Sequence, residues 1–338
     1  MFKCIEGKTA NEVWGQAYEI VKNGDHVNSR IGVNREVLHA ALSIEDPIQK
    51  WVSCKHPPIS IGYALAELIW ILHGSDEASV INYWNVALPN YAGAYQHYPG
   101  AYGNRIFLQH GINQLEKVYE TLKNNLESRQ AVILIWDPKT DLPQCDGKPN
   151  NNDIPCNICS MIKVRNNKLE WTQIMRSNDL VLGLPYNIVQ FTSIQEILAS
   201  WLEIETGSYN HISDSLHIYE EKTNALKATS INVTNKDTLS IKKEDFYEVI
   251  KLIYSTMKLI SDNSETNEIS LKEMSCQDTG YEAYNNILRI ICAYAANKQQ
   301  QFTDRDYIIS TCTNDAYVIM WNNWTKYHSG GNNHVKNN

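Results

Sequence analysis

Residues 153–192 read DIPCNICSMIKVRNNKLEWTQIMRSNDLVLGLPYNIVQFT, and the reading of this stretch decides the fold. Two apolar, β-branched runs, CNICSMIKV and LEWTQIMRS, flank RNNK, which has the chemistry of a tight hairpin turn. A loop crowded with Pro, Gly, Asn and Asp precedes them, so Cys156 stands where a loop enters a strand. Pro155 lacks an amide hydrogen and stiffens the approach, which lets the thiol be held tightly. The returning strand brings Arg176 alongside, and a thiolate nucleophile needs such a positive charge to lower its pKa. Read alone, a cysteine is more often a small buried hydrophobe.

The stretch closes on a polar group, Arg176, Ser177, Asn178 and Asp179, before LVLGLPYN. A guanidinium beside a hydroxyl makes a phosphate clamp, and an Asn amide can read both a carbonyl and an imide hydrogen on a planar base. Ordinary turn chemistry accounts for the same four residues. Cys156 and Cys159 match Cys-x-x-Cys, but a zinc site needs a second ligand pair and a redox pair should begin a helix, so no metal is expected.

Working outward, ANEVWGQAYEIVKN has helical spacing, and GDHVNSRIGVNRE reads as an exposed polar loop. PPISIGYALAELIWILHG is an apolar helix stopped at Gly74, with Glu67 among apolar neighbours. Burial of that carboxyl would raise its pKa toward a range useful for proton transfer; a solvent-reaching carboxylate is the plainer reading. AGAYQHYPGAYGNRI suggests an irregular packed loop, INQLEKVYETLKNNLESR an amphipathic helix including Leu126, and QAVILIW a buried strand. NIVQFTSIQEILASWLEIE is a helix and NHISDSLHIYEE a short strand, on which His217 and Tyr219 share one face. Beyond about residue 222 two amphipathic helices form what reads as an appendage, one of them including Tyr281, and HSGGNNHVKNN reads as a disordered tail.

With 338 residues and a formal net charge of −8, the chain can bury a large core but lacks the basic field of a general nucleic-acid binder. Eight scattered cysteines read as thiols, not a disulfide scaffold. The N-terminus has no signal-peptide core and no run is long enough to span a bilayer, so a cytoplasmic protein that avoids membranes is expected.

The ordered set PC, MRSNDLVLGLPYNIVQFT and HIY resembles the thymidylate synthase family, whose pattern is a Pro-Cys nucleophile, an RS-x-D segment, GLPFNI and H-x-Y. YALAELIWILHG is similar to the helix carrying that family's catalytic glutamate, SRIG to its phosphate loop and ESRQ to its paired-arginine element. The resemblance covers about residues 10–220 and implies an α/β (α+β) fold, a large mixed sheet with helices on one face, extended here by C-terminal helices. It further implies a homodimer formed through the sheet's other face. Expected boundaries are 1–221 for the catalytic domain, 222–330 for the helical segment and 331–338 for the tail.

By position, the resemblance makes Cys156 the thiolate that attacks carbon 6 of a pyrimidine nucleoside monophosphate, with Glu67 and Tyr102 as its catalytic companions. Carbon 5 then takes a one-carbon unit from 5,10-methylenetetrahydrofolate. Arg30, Arg176 and Ser177 would bind the phosphate, with Arg129 arriving from the other subunit. Asn187 would orient the base, His217 and Tyr219 the ribose, and Asp179, Gly183 and Ile81 would meet the folate.

The chain departs from that pattern at Asn157 (usually His), Gln130 (the second arginine), Ile81 (a tryptophan) and Met175 (a glutamine), and the family's closing tail is unrecognisable after Glu220. That tail excludes water, and water converts a methylation into a hydroxymethylation. The expected reaction is therefore hydroxymethylation, with methylation of dUMP to dTMP and a non-catalytic nucleotide-binding role as alternatives. Asn187 matches the members that read uracil, while Asn157 reopens cytosine.

Overall fold

The computed structural model describes residues 1–29, 32–263 and 269–330. Its strands are β1 (Lys3–Gly7), β2 (Asp25–Asn28), β3 (Val33–Ile44), β4 (Lys55–His56), β5 (Val132–Leu134), β6 (Asn157–Arg165), β7 (Lys168–Met175), β8 (Asn178–Asp179), β9 (Glu205–Tyr219) and β10 (Lys227–Ala228). Among the described residues, eight of them form one mixed sheet in the order β1-β3-β9-β7-β6-β5, with β2 on β3 and β8 beside β9. The pairs β1–β3, β7–β9 and β8–β9 are parallel, and the rest of that sheet is antiparallel.

The quoted stretch folds as read. Strands β6 and β7 pair from Arg165–Lys168 inward, and Asn166 and Asn167 take φ of 50° and 59°, the left-handed turn that asparagine tolerates best after glycine. A register shift between Asn157 and Cys159 marks a β-bulge at the start of β6. The extra residue lets Asn157 and Ser160 both face inward with no exposed surface, although they stand three apart.

The helices are α1 (Ala10–Val21), α2 (Ile61–Leu72), α3 (Ala78–Trp84), α4 (Leu88–Ala92), α5 (Tyr102–Phe107), α6 (Gln114–Asn124), α7 (Pro138–Asp141), α8 (Leu184–Trp201), α9 (Glu220–Thr223), α10 (Lys243–Asp262), α11 (Leu271–Ser275), α12 (Glu282–Lys298), α13 (Phe302–Ser310) and α14 (Asp315–Gly330). In α2, capped by Ser60 Oγ accepting from the Tyr63 amide, every residue except Glu67 is buried. Helix α8 packs between α2 and the sheet, and only Tyr186 and Ser200 escape burial in it.

Several expectations change. The stretch 24–36 is largely β2 and the start of β3: β2 is an exposed, polar edge strand, while Asn34, Arg35 and Glu36 lie between β2 and β9, so polar side chains on paired strands read as a loop. Strand β9 is fifteen residues long: it contains the expected strand from Asn210 and begins five residues earlier, at Glu205, where Tyr209 is the one large apolar side chain on the buried face and no apolar alternation announces the strand. In β5 only Ile133 is buried, while Val132 and Leu134 are exposed on the sheet's uncovered face. Leu126 lies past the end of α6 and is exposed, helix α5 forms inside the Gly/Tyr-rich loop, and Tyr281 is the N-cap of α12. Residues 328–330 continue α14, and 331–338 lie outside the described residues.

The C-terminal helices share the main core. Helices α10, α12 and α14 all pack on α2. A Cβ on Gly62 of α2 would collide with the ring of Tyr294 on α12, so glycine permits the close approach. Tyr294 also donates its hydroxyl to the Trp84 carbonyl at 2.9 Å. A buried ion pair, Lys50 Nζ to Glu196 Oε2 at 2.7 Å, strengthens the join, because Glu196 Oε1 accepts from the Leu239 amide at 2.7 Å.

Candidate active site

The bulge at the head of β6 leaves Cys156 partly buried just outside the strand. Arg176, one residue past β7, holds it there: its amide donates to the Cys156 carbonyl at 2.9 Å. The Arg176 guanidinium donates through Nε to Pro155 O at 2.9 Å and through Nη2 to Ile154 O at 3.2 Å. It also lies 5.4 Å from the ring centre of Trp136. Burial pushes the Cys156 thiol above its ordinary pKa, and the Arg176 charge opposes that rise.

Tyr102, at the start of α5, stands close enough to Cys156 and Glu67 to feel both charges, and burial drives its phenol well above the usual range. Asp153 belongs to the same neighbourhood. Its carboxyl is raised to about 6 by burial, against a 2.7 Å bond from the Gly100 amide to Oδ2.

Glu67 meets α8 directly. Tyr63, one turn earlier on α2, donates to Glu67 Oε1 at 2.6 Å, and Gln190 Nε2 donates to Oε2 at 2.6 Å. Gln190 Oε1 in turn accepts from Asn187 Nδ2 at 3.1 Å. Burial raises the Glu67 carboxyl to about 7, and the two donated bonds restrain the rise. An acid near neutrality, hydrogen-bonded through one amide to another, suits proton transfer beside a heterocycle.

Strand β8 sets Asp179 against His217 in parallel register, and the Leu180 amide donates to the His217 carbonyl at 2.8 Å. Burial lowers the His217 pKa, with Asp179 and Glu36 pulling it back, and its ring meets Tyr219 edge-on at 5.2 Å. Asp179 Oδ1 accepts from the amides of Val181 at 2.6 Å and Leu182 at 3.0 Å. Its Oδ2 accepts no hydrogen bond among the described residues, which suits a donor-rich heterocycle such as a pterin. Gly183 caps α8 where a Cβ would strike Asn178 Oδ1.

The remaining expected site residues differ in their exposure. Ser177 is half-buried next to Arg176. Arg129 is exposed in the loop between α6 and β5, and Ile81 is fully buried in α3. Arg30 lies outside the described residues. The sequence reading missed Tyr63, Gln190 and Asp153. Tyr63 precedes Glu67 by four residues and Gln190 follows Asn187 by three, so helical spacing alone would have placed each beside its partner.

The profile of the family described as "Thymidylate synthase" matches residues 16–274. This chain belongs to the thymidylate synthase family. It is similar to the deoxyuridylate hydroxymethyltransferase of Bacillus phage SP01, 30% identical over 248 residues, 68% of this chain and 63% of that protein. The same-named protein of Pseudomonas phage M6 is 32% identical over 165 residues, 48% of this chain and 45% of the relative. The thymidylate synthase of Clostridium beijerinckii is 28% identical over 220 residues, covering 62% and 77%. The chain thus spans less than two thirds of the length of either phage relative. Family membership accounts for the mixed sheet with helices, and no helix among the described residues is long and apolar enough to cross a membrane.

Proposed function

We propose that this protein catalyses folate-dependent hydroxymethylation at carbon 5 of a pyrimidine nucleoside monophosphate, with dUMP as its substrate. The observation that carries the reading is the partly buried Cys156 braced by Arg176, with Tyr102 near enough to both it and Glu67 to feel their charges. In this reading the Cys156 sulfur bonds to carbon 6, and the ring's electron pair moves toward carbon 5 and the 4-oxygen, making carbon 5 nucleophilic. 5,10-Methylenetetrahydrofolate, when bound, supplies the one-carbon unit. Glu67, through Gln190 and Tyr63, holds and moves the protons exchanged at the ring. With the carbon-5 proton removed and tetrahydrofolate departed as the leaving group, carbon 5 bears an exocyclic methylene; the oxygen of water adds to it, the electron pair expels the sulfur from carbon 6, and the proton from water restores the thiol.

Arg30, Arg176 and Ser177 bind the phosphate, Asn187 the base, His217 and Tyr219 the ribose, and Asp179 and Gly183 meet the folate. Ile81 has no exposed surface, so its part in the folate site is to deny it an indole. Two phage relatives named for deoxyuridylate hydroxymethyl transfer support the product assigned. A relative named thymidylate synthase keeps methylation to dTMP as the second reading.

We also propose a cytoplasmic homodimer joined through the sheet's uncovered face, with Arg129 reaching the partner's phosphate site. Leu38, Val132 and Leu134 are exposed, and β5 shows the alternation that puts its apolar side chains there. Sedimentation gives twice the chain mass if this holds; a monomer refutes it.

The deciding experiment incubates the protein with 5,10-methylenetetrahydrofolate and dUMP, dCMP, UMP or CMP. Hydroxymethylation releases tetrahydrofolate, methylation releases dihydrofolate, and mass spectrometry names the nucleotide. Cys156→Ser abolishes either activity; turnover surviving that change sinks the covalent reading.

A further inference from the structure

Gln190 is 3% exposed and Asn187 6%, so solvent does not replace a hydrogen bond lost between them. An ionised Glu67 carboxylate only accepts. Gln190 must therefore turn its NH2 toward Glu67 Oε2, which turns its carbonyl toward Asn187, which must answer with its own NH2. The reverse order sets a carbonyl against a carboxylate and one NH2 against another, breaking two buried bonds at once.

We propose that Gln190 is a positioning residue for base selection, tying the polarity of the Asn187 carboxamide to the Glu67 carboxylate so that the site reads uracil and not cytosine. The inference rests on the reading that Asn187 meets the base. Asn187 is left with its carbonyl oxygen and one N–H in a fixed order on the edge away from Gln190. Uracil presents an N3–H donor beside the O4 acceptor, whereas cytosine presents an N3 acceptor beside an amino donor. An amide free to turn over serves either base; one held by a carboxylate serves only one. The chemistry of the relay joins α2 to α8, which is why neither helix read alone reveals it.

The test replaces Gln190 with methionine in the full chain, which keeps length and volume but removes donor and acceptor. The ratio of kcat/KM for dUMP to that for dCMP is expected to fall at least tenfold. A merely structural role lowers both nucleotides together and leaves the ratio unchanged, which overturns the proposal. A second measurement needs no variant: the side-chain amide resonances of Gln190 and Asn187 should both shift as Glu67 titrates. Independence of the Asn187 signal from that titration overturns the proposal even if Gln190→Met does not fold. Should the wild type turn over neither nucleotide, the functional reading fails by itself, and the resonances still decide whether the relay exists.

Discussion

Arg176 grips the peptide that carries Cys156: its amide bonds the Cys156 carbonyl and its guanidinium bonds the carbonyls of Pro155 and Ile154. A side chain expected to serve a phosphate thus also fixes the backbone of Cys156. The Pro-Cys and Arg-Ser elements, twenty residues apart, work as one unit because the β6–β7 hairpin returns one beside the other.

Replacing Arg176 with methionine is therefore expected to act on the thiol before any substrate arrives. With the opposing charge gone, the pH midpoint of Cys156 alkylation by iodoacetamide moves upward, since burial then acts unrestrained. Loss of the charged bonds also lowers kcat/KM by about a hundredfold or more. An alkylation midpoint that stays in place would refute the electrostatic role.

Glu67 predicts a pH dependence of stability with a defined sign. Its carboxyl is raised to about 7 in the fold, so between the ordinary carboxyl value and 7 the folded state holds more protons than the unfolded one. Stability from this group is complete below the unfolded value and is lost as pH rises through about 7, by at most about 3 kcal/mol. Glu67→Gln should flatten that part of the urea-unfolding profile and lower kcat by about 10²–10⁴-fold. A wild-type profile flat from pH 5 to 7, on the order of that carboxyl range, would contradict the prediction.

Lys50 and Glu196 are 3% and 4% exposed, so neither charge has solvent to fall back on. Lys50→Met leaves Glu196 with the Leu239 amide as its main remaining partner and is expected to cost about 3–5 kcal/mol in urea unfolding. Lys50→Met combined with Glu196→Gln should recover much of the loss. Additive losses in that cycle would show that the two side chains do not act as a pair.

Gly62→Ala drives a methyl group into Tyr294 where α12 crosses α2. The expected loss is about 1–3 kcal/mol, with the C-terminal helices and the Glu67 helix still unfolding together in one transition. Separate transitions for the two regions would show that the C-terminal segment is independent after all.

How much was legible depended on how far apart in the chain the interacting residues lie. The hairpin, the strand entry at Cys156, the helix around Glu67 and the Arg176–Asp179 group rest on spacing within a few dozen residues, and local periodicity and turn chemistry expose them. The last ten residues of β9 read as a strand, whereas its first five, ETGSY, escaped because they offer one large apolar side chain and so no alternation. The alliance of Glu67, Gln190 and Asn187 escaped for a different reason, since it joins side chains 123 residues apart.

The sequence by itself determined the ordered set of chemical groups, the secondary structure that carries most of them and the family to which they belong. Only the tertiary structure decided that the C-terminal helices build on the Glu67 helix and that a buried carboxylate orients an amide on a neighbouring helix. The physical reason is that hydrogen-bond polarity and pKa are set by whatever surrounds a group in space, and a chain written as a line carries no record of its neighbours across the core.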